Sequence, residues 1–110
     1  MSTSTGTVID VKVKVIHIKG TCPYEHKVGD EWIVGYKTPP GICNSAYMAI
    51  YPHIRVLQRG GHYELPKGSG VTRLGCPDAW NCVIFELAPI ASTARPAPPL
   101  AAGTGNLDNL

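Results

Sequence analysis

From Val11 to Val15 the chain reads Val-Lys-Val-Lys-Val, an alternation with the two-residue period of a half-buried strand. A helix would scatter those valines around its circumference. The run therefore calls for an extended segment with one face on a core and the other in water. The alternation breaks at Val15-Ile16, both apolar, and Ile18 then continues in register with Ile16. One extra residue at that point predicts a β-bulge that turns the second half over; the alternative is a second half buried on both faces. The strand spans Val8 to Lys19.

The rest of the chain organises around that strand. Gly20 to Asp30 is polar, with Cys-Pro and Gly-Asp, and reads as a loop; Glu31 to Tyr36 reads as a short second strand, stopped by Pro39-Pro40-Gly41. From Asn44 the period changes. Tyr47, Ile50, Tyr51, Ile54 and Leu57 recur at helical spacing, with Asn44 or Ser45 as the expected cap and Gly60-Gly61 as the stop. Pro52 lies inside this run and predicts either a kink or two short helices. Gly61 to Gly70 reads as a loop. Val71 to Gly75 and Cys82 to Leu87 read as a hairpin joined by Cys76-Pro-Asp-Ala-Trp-Asn81. The fold class is α+β: a small, mostly antiparallel sheet of about four strands packed with one Pro-interrupted helix.

The chain has 110 residues, enough for one core and too few for two. Residues 1–7 read as a disordered N-terminus, 8–90 as the single domain, and 91–110 as a disordered tail. The tail is rich in Pro, Ala and Gly and buries too little apolar surface to offset its ordering entropy. Truncation after Ile90 is accordingly expected to leave the melting temperature unchanged.

A net charge of +2 is too weak to point to nucleic acid or an anionic membrane, and Lys12, Lys14 and Lys19 form no basic cluster. No apolar run is long enough to span a bilayer. Met1 to Thr7 has neither the basic nor the apolar region of a secretory signal, so the expected location is cytoplasmic and the four cysteines are expected as free thiols. Small domains with apolar strands often pair, which leaves a homodimer open.

Chemistry concentrates in three loops or element ends, where sites are commonly built on a rigid scaffold. Cys22 and His26 lie four residues apart in the first loop. Cys43 sits where the helix begins, and the helix dipole and free N–H groups there favour a thiolate. Cys76 and Asp78 share the loop between the last two strands. Each has a plainer reading, since free cysteine is usually a small buried hydrophobe, and that reading is preferred for Cys82 between apolar neighbours. His17 alternates with apolar neighbours in a strand and reads as a surface or packing residue, and His53 and His62 have no local partners in sequence.

Cys22-Pro-Tyr-Glu-His26-Lys-Val-Gly29-Asp30, Thr38-Pro-Pro-Gly41-Ile-Cys43, Tyr51-Pro52 and Cys76-Pro77-Asp78 occur in that order. Together with Val83-Ile-Phe-Glu-Leu87 they resemble a family of small microbial proteins marked by Cys-Pro-x-x-(x)-His-Lys-x-Gly-Asp. The likeness covers roughly Val11 to Leu87. It implies one compact domain in which these Cys, His and Asp positions recur together, and it implies no reaction. Tyr24-Glu25 stand where that pattern favours a small residue before the histidine.

Three functions are expected. In the first, Cys22, His26, Cys43, Cys76 and Asp78 line one pocket of a cofactor-independent isomerase, cyclase or decarboxylase that moves protons on a small organic substrate. In the second, Cys22, His26, Cys43 and Cys76 form a Cys3His zinc set, although the paired C-x2-C spacing of zinc sites is missing. In the third, the chain is a non-catalytic accessory or interaction subunit that uses Tyr47 and Tyr51 as a partner face. No nucleotide-binding motif is present.

Overall fold

The computed structural model describes residues 6–63 and 70–97. Residues 1–5, 64–69 and 98–110 lie outside the described residues, and with them most of the expected N-terminal arm, the middle of the Gly61–Gly70 loop and the end of the tail. The elements are β1 (Thr7–Ile18), β2 (Glu31–Val34), α1 (Asn44–Gln58), β3 (Thr72–Gly75) and β4 (Val83–Pro96). The strands form one antiparallel sheet in the order β2-β1-β4-β3, with α1 packed on β1, β3 and β4. This is the α+β class that the periodicities call for.

Val11, Val13 and Val15 are fully buried on the helix side of β1, and Val13 and Val15 face Leu87 and Phe85 of β4. Lys12 and Lys14 point to the open side, 3.6 and 3.8 Å from Glu31. The register slips between Val15 and His17, where the break in alternation calls for a bulge. Ala46, Ile50, Ile54 and Leu57 supply the buried stripe of α1. Each fully buried Val, Leu, Ile or Phe in this core contributes about 1.5–3 kcal/mol. Tyr51 shares their helical spacing but lies at the edge of the stripe and is exposed.

Both ends of α1 are informative. At the C-terminus, Gly60 adopts φ 91°, its N–H bonds the Leu57 carbonyl, and the Gly61 N–H reaches back to Val56. That pair of bonds is a Schellman motif, which needs a left-handed residue at Gly60. At the N-terminus the cap is Cys43, not Asn44 or Ser45: Cys43 has extended backbone and its carbonyl accepts the Tyr47 N–H at 2.9 Å. Helical geometry begins one residue earlier than the polar pair suggests, and no side chain caps the helix. The helix runs through Pro52 without interruption. Pro52 and Met48 are both exposed, so the carbonyl that loses its donor can turn to water.

The expected boundary at residue 90 is wrong. β4 continues to Pro96, and Thr7 pairs with Pro96 and Val8 with Arg95. Between these pairs and Asp10↔Ile90 the register shifts, and Thr93 closes the irregularity. Its hydroxyl accepts the Asp10 N–H at 2.8 Å and donates to the Ile90 carbonyl at 2.6 Å. The Arg95 guanidinium lies 3.0 Å from Asp10 and stacks over Tyr36, and Ala97 is buried. The segment is ordered by long-range partners that local composition does not reveal. Pro89 removes one ladder donor without ending the strand.

Candidate functional site

The β1–β2 connection, the start of α1 and the β3–β4 connection meet at one end of the sheet, around a cavity of about 290 Å³. Cys22, His26, Cys43, Cys76 and Asp78 all line it, together with Ser45, Ala46 and Asn81. The volume sits at the small end of the range for organic ligands.

The β1–β2 connection is held on the hairpin loop by three bonds. The Lys19 N–H donates to the Cys82 carbonyl at 2.8 Å, the Thr21 N–H to Asn81 Oδ1 at 3.0 Å, and Lys19 Nζ to the Ala79 carbonyl at 3.4 Å. Gly20 allows this approach. Its φ is +79°, and a β-carbon there would collide with the Asn81 side chain. The chain then turns at Cys22-Pro23-Tyr24-Glu25, closed by the Glu25 N–H on the Cys22 carbonyl at 2.9 Å. Pro23 suits the second position of such a turn. Glu25 is held at a φ of 63°.

His26 is buried edge-on against Trp32 and Phe85, with ring centroids 5.4 and 6.1 Å away. Its Nε2 accepts the Cys43 N–H at 3.2 Å. An imidazole that accepts at Nε2 is neutral and carries its proton on Nδ1. Trp32 prepares this meeting from the other side, since its Nε1 donates to the Pro40 carbonyl at 3.1 Å and holds the turn that leads to Cys43. The start of α1 therefore lies on the cavity with the Cys43 thiol at its cap, and the Cys43 side chain makes no capping bond.

Asp78 organises its own loop. Its Oδ1 accepts the Trp80 and Asn81 N–H groups at 2.9 and 3.0 Å. These two bonds, the Asn81 one first, hold its carboxyl below the usual carboxylate range. It stays ionised near neutral pH and shapes the hairpin that carries Cys76. The hydrogen bond at His26 Nε2 comes from Cys43 and not from Asp78.

Among the described residues, no three His, Cys, Asp or Glu side chains stand close enough to hold one metal ion. Cys22, His26, Cys43 and Cys76 line one cavity. His26 Nε2 is taken by the Cys43 N–H, and Cys76 Sγ accepts the Val83 N–H at 3.3 Å. All four cysteines are free.

Sequence reading missed Asn81, which binds the first loop to the hairpin. Its signal was the Asp78-x-x-Asn81 turn spacing next to Cys82. Cys82 is half-buried, and its thiol donates to the Cys76 carbonyl at 3.4 Å. His17 is exposed, and His53 bonds the Tyr63 hydroxyl at 2.7 Å away from the cavity. Among the described residues, no helix is long and apolar enough to cross a membrane. Comparisons with family models, with curated proteins and with solved structures find no match to this chain.

Proposed function

We propose that the cavity is the active site of a small cofactor-independent enzyme of isomerase, cyclase or decarboxylase type, acting on a small organic substrate. The observation that carries this reading is the Cys43 thiol at an uncapped helix start, opening on a cavity shared with Cys22, Cys76 and a neutral imidazole. The helix dipole favours negative charge at that point, on the thiol or on the substrate. Cys43 is the proton-transfer group, and Cys22 and Cys76 are candidates for the opposite face of the substrate. His26 is a positioning residue that fixes the Cys43 backbone, and Asp78 positions the Cys76 loop.

The test is solvent exchange. A panel of small carbonyl and carboxylic compounds is incubated with the protein in D2O, and C–H loss is followed by proton NMR. At least one compound should exchange, and Cys43→Ser should slow that exchange by about 100-fold or more. A panel without exchange, or a Cys43→Ser rate equal to that of the parent, removes the proposal.

One observation favours the accessory-subunit reading. The Tyr47 and Tyr51 rings lie 5.4 Å apart beside Met48, which is 76% exposed, along a groove that also includes Thr38 and Ile42. Sedimentation of the parent and of Met48→Asp over a range of concentrations tests this face. Self-association lost in the variant supports it, and a monomer throughout counts against a homodimer built on it.

A further inference from the structure

Cys76 and Val83 face each other at the neck of the β3–β4 hairpin, where the Cys76 N–H donates to the Val83 carbonyl at 2.9 Å. The return bond of this rung is made through sulfur. The Val83 N–H donates to Cys76 Sγ at 3.3 Å, and the Cys76 carbonyl accepts the Cys82 thiol at 3.4 Å. Each thiol therefore lies against the backbone of the opposite arm, and Cys76 Sγ is also 3.9 Å from the Asn81 carbonyl. Residue 75 makes room for this, because a β-carbon at Gly75 would sit 2.7 Å from Cys82 Sγ. Desolvation raises the Cys82 thiol, and the neighbouring Cys76 thiol raises it further. Cys76 is among the residues that line the cavity, and Cys82 is not.

We propose that Cys76 and Cys82 form a reversible disulfide in response to peroxide, with Cys76 as the attacking sulfur and Cys82 as the resolving one. Cys76 has access from the cavity and a backbone donor placed for negative charge on sulfur. In the first step the Cys76 sulfur attacks one oxygen of hydrogen peroxide or an organic hydroperoxide. The O–O bond breaks, Cys76 becomes a sulfenic acid, and water or an alcohol leaves. In the second step the Cys82 sulfur attacks the sulfenic sulfur, the S–S bond forms, and the S–O bond breaks with release of water. The two thiols lose two electrons in total, and the peroxide gains them.

The bridge links residues six apart on the two arms of one hairpin, so it closes a short loop and constrains the unfolded chain little. That favours a bond that thiols can readily reduce. Cys22 and Cys43 lie in other parts of the cavity wall, while the Cys76 and Cys82 thiols each lie against the backbone of the opposite arm of one hairpin.

The experiment treats the full chain with hydrogen peroxide, alkylates the remaining thiols and maps peptides without reduction. The expected product has lost two hydrogens, contains a Cys76–Cys82 linked peptide, and returns to four thiols with dithiothreitol. In Cys82→Ser the reaction should stop at a sulfenic acid on Cys76, captured by dimedone. A dominant bridge between any other pair, four thiols that still alkylate after peroxide, or a folded Cys82→Ser chain without a dimedone adduct at Cys76 would overturn the proposal. If Cys82→Ser does not fold, the map of the parent chain decides.

Discussion

Arg95 Nη1 lies 3.0 Å from Asp10 Oδ1, and its guanidinium carbon sits 4.8 Å above the Tyr36 ring. A residue expected in a loose tail thus ties the end of β4 to β1 and to the chain just beyond β2. Truncation after Ile90 removes this contact, the Thr93 hydroxyl on the Asp10 N–H, and the buried Ala97. The loss should reach about 2 kcal/mol, a fall in melting temperature of roughly 8 °C or more. Thermal unfolding followed by circular dichroism measures it, and an unchanged midpoint would show that residues 91–96 add nothing.

Gly20 should tolerate no side chain. At φ +79° any L-residue is strained, and its β-carbon would meet the Asn81 side chain that receives the Thr21 N–H. Gly20→Ala is expected to cost about 1–2 kcal/mol from backbone strain alone, with further loss if the loop lifts away. Denaturant unfolding gives the energy. Amide shifts at Cys22 and Cys76 report whether the loop has moved, and a neutral Gly20→Ala would place the loop elsewhere.

Glu25 presents the converse case. Its φ of 63° is unfavourable for an L-residue, and the residue is exposed, so little side-chain packing is at stake. Glu25→Gly should raise stability by up to about 1 kcal/mol, because relief of strain exceeds the added entropy of the unfolded chain. A lower midpoint in urea would contradict the turn geometry.

Asp78 predicts an acid-dependent term in stability. Its carboxyl is held below the ordinary range by the Asn81 and Trp80 N–H groups, so the folded state favours the ionised form. The contribution is fully present above the unfolded pKa of about 3.9 and is lost as pH falls through the lower folded value. Asp78→Asn keeps an oxygen acceptor for the turn and removes the titration. Urea midpoints measured from neutral pH into acid should therefore fall less steeply for the variant. Parallel curves for the two proteins would show that the turn does not discriminate between charge states.

The parts legible in sequence were those with local causes. Val11 to Val15 carry their period in adjacent residues, the bulge follows from Val15-Ile16, and the helix stop follows from Gly60-Gly61. The thiols, imidazole and carboxylate around the cavity could be singled out because they sat at loops and element ends. Three things could not be read locally. Cys43 caps α1 because His26 and the Trp32-anchored turn fix its backbone. The end of β4 is ordered by Asp10 and Tyr36, which are far away in sequence. The backbone partners of His26 and Cys76, the Cys43 and Val83 N–H groups, are set by tertiary contacts that spacing does not encode.

The strand order β2-β1-β4-β3 sets the first and last described strands side by side at the centre of the sheet. During synthesis, β1 emerges from the ribosome with its valine face bare and must wait for β4 before its main neighbour exists. The β1–β2 pair can form early, but it buries only one edge of β1. Folding therefore depends on closing nearly the whole chain into one loop, the kind of long-range step that slows sheet formation. Until that closure, exposed strand edges leave the nascent chain open to aggregation, so rapid translation should favour inclusion bodies and slow expression at low temperature should favour recovery of folded protein.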